Sequence, residues 1–234
     1  MNWTLGIDTS STDLSVGLFR DVEPVASYSR FLKNSHAEHI AQAVQLVLGS
    51  CGVSSSDITN VAIAAGPGSF TGLRIGFAFV KGFCMTGPAK VMPVSSLFVL
   101  AHGAAGRAAS AVAAIDARRG EVFWARFGVR GTGVLRETAD TAGTAGDFRN
   151  FIKPDNAIVY DTQGYAKSTV FDFLAGRPNV FSARQYSIER GLCCAAAGAA
   201  AADEPSAWKN APDALPEYLR SFTSPSLPKG AGAK

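Results

Sequence analysis

The spacing of apolar and polar positions changes along the chain, and each change marks an element. Thr4–Ile7 and Leu14–Phe19 are short apolar runs on either side of the polar stretch Asp8-Thr9-Ser10-Ser11-Thr12-Asp13, which predicts two strands and a turn; Val25–Phe31 adds a third strand in an antiparallel meander. Ser35 then stands as a helix cap, with Glu38 three residues on in a capping box, and the helix runs to about Leu48. Val61–Ala65, β-branched at Val61 and Ile63, suits a strand buried on both faces. Gly66-Pro67-Gly68 stops it, because proline donates no ladder hydrogen bond and glycine takes backbone angles that other residues avoid. Ser69 or Thr71 caps a helix over about 71–84. Val91–Val94 is another strand, and Ser95 or Ser96 caps a helix through about Ala105.

Two of these helices carry more apolar surface than one sheet can cover. At about 100° per residue, Leu73, Phe77 and Val80 share one face of helix 71–84, while Ile75, Phe79 and Phe83 share nearly the opposite face. Gly72, Gly76 and Gly82 offer places for another backbone to approach. In helix 36–48, Ala41, Val44 and Leu48 form a stripe that Ile40, Ala43, Leu46 and Val47 widen. One face of each helix packs on the chain's own sheet. The other meets either a partner or more of this chain.

After the small-residue stretch Gly103–Ser110 the pattern restarts. Ala113–Phe127 aligns with Leu5–Phe19: strand, Ile-Asp (Asp8 and Asp116), polar turn, strand. Val134–Glu137 is a third strand, Thr144 caps a short helix to Lys153, Ala157–Tyr160 is a strand, and Ser187 caps a helix through the alanines to Ala202. The fold expected is α/β, with two related half-domains over 1–105 and 106–206, each a mixed sheet with flanking helices. The segment 207–234 reads as an extended, proline-rich tail interrupted by Pro216-Glu217-Tyr218-Leu219-Arg220.

Composition narrows the functional classes. At 234 residues and 47% hydrophobic, the chain has enough material for one large core or two smaller ones. A net charge of +3 is too small to argue nucleic-acid binding on its own. Cys51, Cys84, Cys193 and Cys194 form no C-x-x-C pair, so free thiols in a reducing compartment are expected. The chain enters strand pattern at Trp3 without a basic and apolar leader, and no apolar run reaches a membrane span. These features predict a cytoplasmic protein away from membranes.

Candidate chemistry lies at the turns. The strand–loop–helix at Gly66, Gly68, Ser69, Thr71 and Gly72 points N–H groups outward at a helix start, where a phosphate or carboxylate can bind; the alternative is a well-capped turn that holds nothing. It is not a Walker loop, since no Lys-Ser/Thr pair follows the glycines. His36 and His39 are three residues apart, whereas a helical metal pair is spaced by four, and His102 lies on another helix, so no metal site is expected. No Ser sits in G-x-S-x-G and no Cys has an evident His partner. Two halves that each open with an Asp-tipped hairpin resemble the actin, sugar-kinase and Hsp70 nucleotide-binding plan. There Asp8, Thr9 and Ser10 would serve as the first phosphate turn. The second, Asp116-Ala117-Arg118-Arg119, lacks the small residues that let backbone reach phosphate.

Five motifs together resemble one family. Gly-Pro-Gly-Ser-Phe-Thr-Gly-Leu-Arg-Ile-Gly at 66–76 and Ile-Asp-Ala-Arg-Arg-Gly-Glu-Val-Phe at 115–123 are the specific ones. Ile-Asp-Thr-Ser-Ser at 7–11, Ser-His-Ala-Glu-His-Ile at 35–40 and Pro-Glu-Tyr-Leu-Arg at 216–220 accompany them. They look like the bacterial TsaB (YeaZ) family across nearly the whole chain. The resemblance implies two actin-like (ribonuclease H-like, ASKHA) halves and a part in making N6-threonylcarbamoyladenosine at position 37 of tRNAs that read ANN codons. It implies a non-catalytic subunit that pairs with its paralogue TsaD and works with TsaE, or pairs with itself when alone, and that meets tRNA only through the complex. Pairing would use the two helices of the first half, with His36, His39, Ile40, Ala43, Val47, Leu73, Ile75, Gly76, Phe77, Phe79, Val80 and Phe83 as interface candidates. No resident cofactor is implied beyond weak ATP or ADP binding in the complex. The alternative is a chain that acts alone, as a weak ATPase or a glycoprotease-like metallopeptidase.

Overall fold

The computed structural model describes residues 1–219, apart from 33–34, 86, 132, 165–167 and 185–187. The expected cap Ser187, the motif residue Arg220 and the remainder of the 220–234 tail lie outside the described residues.

The first sheet contains β1 (Trp3–Asp8), β2 (Asp13–Arg20), β3 (Glu23–Phe31), β4 (Ile58–Gly66) and β5 (Lys90–Ser95) in the order β3-β2-β1-β4-β5. The first three strands run antiparallel to their neighbours, while β1, β4 and β5 are parallel. The second sheet is built on the same plan from β6 (Ser110–Arg118), β7 (Glu121–Arg130), β8 (Gly133–Arg136), β10 (Ala157–Asp161) and β11 (Val180–Ser182), in the order β11-β10-β6-β7-β8. One further strand, β9 (Thr141–Thr144), pairs with β7. β9 and β11 were not anticipated from sequence, because strands of four and three residues are too short to show alternation.

Helices cover the sheets. α1 (His36–Ser50) and α2 (Phe70–Cys84) lie on one face of the first sheet, where Leu5, Ile7, Leu14, Val16, Leu18, Val61, Ile63 and Ala65 form one core with Ile40, Val44, Val47, Phe77 and Val80. The alternate residues of β4, Ala62 and Ala64, point the other way, to Val99 of α3 (Ser96–Ala101) and Cys194 of α5 (Arg190–Ala200). This period-two alternation is what makes β4 apolar throughout. α3 also shares a core with Ala113, Ile115 and Phe127 of the second sheet, so it lies between the sheets. α4 (Ala145–Phe151) covers the far face of the second sheet, with Phe148 against Trp124.

The caps divide between expectation and correction. Ser69 accepts from the Gly72 N–H, Ser95 from Phe98, and Thr144 closes a capping box with Asp147. The Ser35–Glu38 capping box does not form; no side-chain hydrogen bond caps α1. The helix expected to reach Ala105 stops at Ala101 and continues as a single tighter turn, His102–Ala104.

Packing cuts across the order of the chain. α5, which follows the second sheet in sequence, lies on β1, β2 and β4 of the first. It comes so close that a methyl on Gly6 would sit 2.1 Å from the Gly191 carbonyl oxygen and 2.3 Å from the Ala195 nitrogen. The segment after 207 also returns to the first sheet: Lys209 bridges to Val91, Ala211 and Ala214 enter the first core, and the Glu217 N–H donates to the Ala65 carbonyl at 2.7 Å. Up to residue 219 it is therefore docked chain rather than free tail, because it satisfies backbone groups at the ends of β4 and β5.

Candidate functional site

Two places in this fold bear on function: the crevice where strand ends of both sheets meet, and the outer face of α1 and α2.

At the crevice, β1 and β10 end in Asp8 and Asp161, and β6 carries Asp116 two residues before its end. Each carboxylate accepts the N–H of the residue two further on: Ser10 at 2.6 Å, Arg118 at 2.7 Å and Gln163 at 2.7 Å. Such turns are what a short acidic side chain at a strand end favours. Asp8, Thr9 and Ser10 are completely buried. The Gly66–Gly72 loop rests directly on them. The Ser69 N–H donates to the Ser10 carbonyl at 2.7 Å, and the Thr9 hydroxyl to the Gly72 carbonyl at 2.8 Å. A methyl on Gly68 or Gly72 would lie 2.4 Å from the Ser10 oxygen or 2.0 Å from the Thr9 oxygen. Glycine is required here by this contact between two turns. The N–H of Ser69 and that of Gly72 are already used within the chain. Gly66 is covered by the Glu217 carbonyl, and only Thr71 of the proposed anion-binding group is exposed. Of the candidate anion-binding residues, Asp8, Thr9, Ser10, Gly66 and Gly72 are thus buried in a contact between two turns, and the N–H groups of Ser69 and Gly72 serve that contact and the helix cap.

Sequence reasoning missed the crevice's central residue. Arg190, at the start of α5, is buried, with Nη2 2.5 Å from Asp161 Oδ2, and Nη1 3.4 Å from Ser10 Oγ and 3.8 Å from Asp8 Oδ2. The carboxylates of Asp161, Asp8 and Asp13 outweigh the cost of burial and hold the guanidinium firmly charged. The Gln163 side chain donates to the Ser10 carbonyl at 3.3 Å, a second link between the halves. One signal was available: Ile-Val-Tyr-Asp at 158–161 ends a strand in Asp as 6–8 does.

His36 lies at the edge of this cluster. It is buried, its Nε2 has no hydrogen-bond partner among the described residues, and desolvation lowers its pKa below the usual 6.5. His39 turns its Nδ1 to the Ser35 carbonyl of its own helix. Among the described residues no group of three His, Cys, Asp or Glu could hold a metal ion.

The outer face of the helices resolves the two-stripe question. Leu73, Phe77 and Val80 are 1%, 3% and 1% exposed and belong to the core. Ile75, Phe79 and Phe83 keep surface. His36, Ile40, Ala43 and Val47 of α1 and Gly76 of α2 are likewise buried by this chain. Ile40, Ala43, Val47, Phe77 and Val80 pack in the core against the sheet that the helices cover. Of the twelve interface candidates, His39, Ile75, Phe79 and Phe83 keep surface in this chain. Between α1 and α2 runs a groove of about 390 Å³, its lining including Ala41, Val44, Leu48, Val53, Phe79 and Phe83. The Phe79 and Phe83 rings stand 6.0 Å apart, and Leu46, 52% exposed, lies on the same helix as the groove's α1 wall.

Two sheets on one plan, with strand ends converging on a shared crevice, define an actin-like (ASKHA) pair of half-domains. At TM-score 0.50 and 12% identity, component A of (R)-2-hydroxyglutaryl-CoA dehydratase from Acidaminococcus fermentans shares the fold. The structure of YeaZ from Pseudomonas aeruginosa superposes over 94% of this chain and 100% of that one, with TM-score 0.74 and 25% identity. A family model described as "TsaD: tRNA N6-adenosine threonylcarbamoyltransferase" matches residues 30–210. The chain is 38% identical over 125 residues to the tRNA threonylcarbamoyladenosine biosynthesis protein TsaB of Escherichia coli strain K12, and 36% identical over 121 residues to that of Bacillus subtilis strain 168. These alignments cover 53% and 51% of this chain, which spans about half the length of the curated relatives it matches. The chain belongs to the TsaB/YeaZ family, within the wider family that the TsaD model describes.

Proposed function

We propose that this chain is a non-catalytic subunit in the synthesis of N6-threonylcarbamoyladenosine on tRNA, and that it works by docking the outer face of α1 and α2 onto a TsaD-type transferase. The observation that carries this reading is the apolar groove between the helices, with Ile75, Phe79 and Phe83 half-exposed beside it. Clustered aromatic side chains on one patch are what a partner surface needs, and a liability on a surface that meets only water. In the absence of the transferase, a second copy of this chain covers the same face, since a patch of this kind can be self-complementary about a two-fold axis. A TsaE-type ATPase joins the assembly, tRNA is held by the partners, and the work is done in the cytoplasm.

The closed crevice supports the non-catalytic part. The N–H groups of Ser10, Ser69 and Gly72 bond to the chain itself, and a buried guanidinium stands among the carboxylates. For a metallopeptidase acting alone, no group of three His, Cys, Asp or Glu among the described residues could hold the metal. The test is reconstitution: the chain expressed with a TsaD-type transferase from the same host should co-purify in stoichiometric amounts and raise threonylcarbamoyl transfer to tRNA. Failure to co-purify, or ATP hydrolysis by the isolated chain that Asp8→Ala abolishes, would overturn the proposal.

A further inference from the structure

We propose that Arg190 is a built-in counter-cation that locks the two half-domains together at the strand-end crevice, so that the chain does not hinge there. Asp8 ends β1 in the first half and Asp161 ends β10 in the second. The guanidinium spans them with different nitrogens, Nη1 toward Asp8 Oδ2 at 3.8 Å and Nη2 on Asp161 Oδ2 at 2.5 Å. All three residues are under a tenth exposed. Asp8 Oδ2 has no hydrogen-bond donor among the described residues, so the charge of Arg190 is what makes its burial tolerable.

The surroundings are built to hold the cation. Arg190 opens α5, whose next residue donates its N–H to Ser15 Oγ at 2.9 Å while its backbone lies against Val16. The arginine therefore projects from a helix fixed to the first sheet into a carboxylate of the second. Gln163 and Gly164, just past Asp161, close on the other side: the amide donates to Ser10, and a methyl on Gly164 would sit 2.8 Å from the Thr12 side chain. The carboxylates are arranged around a planar, two-pronged cation rather than around a metal ion, as the missing three-residue metal cluster among the described residues agrees.

The experiment uses the full chain in two parts. In the wild type, native-state hydrogen exchange at the amides of Ser10, Gln163 and Gly191 should be as slow as at Leu5 and Ile7 in the core. Crevice amides that exchange at least tenfold faster than those two would mean that the halves open, and would overturn the lock. In variants, Arg190→Met strands buried carboxylates and should lower Tm by about 10 °C. Adding Asp8→Asn and Asp161→Asn to Arg190→Met should restore at least half of that loss. An unchanged Tm in the single variant, or no recovery in the triple one, would show that Arg190 is merely packed there. If the single variant does not fold, a folded triple variant supports the proposal, and failure of both leaves the decision to the wild-type exchange rates.

Discussion

Placing a charge on either stripe of α2 separates the two jobs of that helix. Phe77 is 3% exposed and packs with Ile63 and Val80 in the first core. Removing a buried phenylalanine costs about 3–5 kcal/mol, and a carboxylate forced into the same place adds several more. Against a typical total stability of about 5–15 kcal/mol, Phe77→Glu is expected to leave the chain largely unfolded. Phe79 is half-exposed and touches Phe83. Its replacement loses part of the roughly 1.5–3 kcal/mol that full burial of such a ring contributes, and the new carboxylate reaches water without moving backbone. Phe79→Glu should stay folded, within about 1.5 kcal/mol of wild type. In an apolar contact the same charge should cost at least about 2 kcal/mol of binding, or roughly a thirtyfold weaker complex. Urea titrations followed by circular dichroism measure the first quantity. Sedimentation velocity, with and without the transferase, measures the second. Equal loss of stability in both variants would refute the assignment of the stripes. A folded Phe79→Glu chain that still self-associates and still binds its partner as tightly as wild type would refute the docking face.

Three further outcomes are expected. Gly6→Ala drives a methyl into the Gly191 carbonyl and the Ala195 nitrogen, so it should cost about 1–3 kcal/mol in thermal or urea unfolding despite the small change, whereas Gly49→Ala, with nothing within 4 Å, should be neutral or stabilising. His36 and His102 both have pKa values lowered by burial. Their neutral forms are favoured in the fold, so stability should be level above pH 6.5 and fall as pH drops below it, and His36→Gln should flatten part of that acid limb in pH-dependent denaturation. Burial pushes the Cys84 thiol up to about 11 and that of Cys193 up to about 12, and raises Cys194 well above its usual value. Under native conditions at pH 8, mass spectrometry should find alkylation first at Cys51, which is partly exposed; fast labelling of Cys194 would contradict the placement of α5.

Much of the architecture could be read without coordinates because it is written in local periodicity. The meander, the strand before Gly66, the two long helices and the restart at Ala113 each follow from the spacing of apolar residues, and the duplicated Ile-Asp turns announced two similar sheets. Alternation along β4 likewise required two covered faces. Two apolar stripes on α2 were equally legible, but periodicity is silent about which stripe the sheet claims; that depends on how the helix is turned against β4, and the tertiary structure turns Phe77 inward and Phe79 outward. The crevice was hidden for a related reason. Arg190 lies 182 residues from Asp8 and 29 from Asp161, and no local pattern links them. Their meeting depends on α5 crossing from the second sheet to the first, which in turn depends on Gly6, Gly17 and Gly191 allowing backbone to touch backbone. The Gly66–Gly72 loop has the residues of an anion site, and sequence alone allows it to be one. Only the packed fold shows what lies against it: the Asp8–Ser10 turn, which takes up the Ser69 N–H and the Gly72 carbonyl.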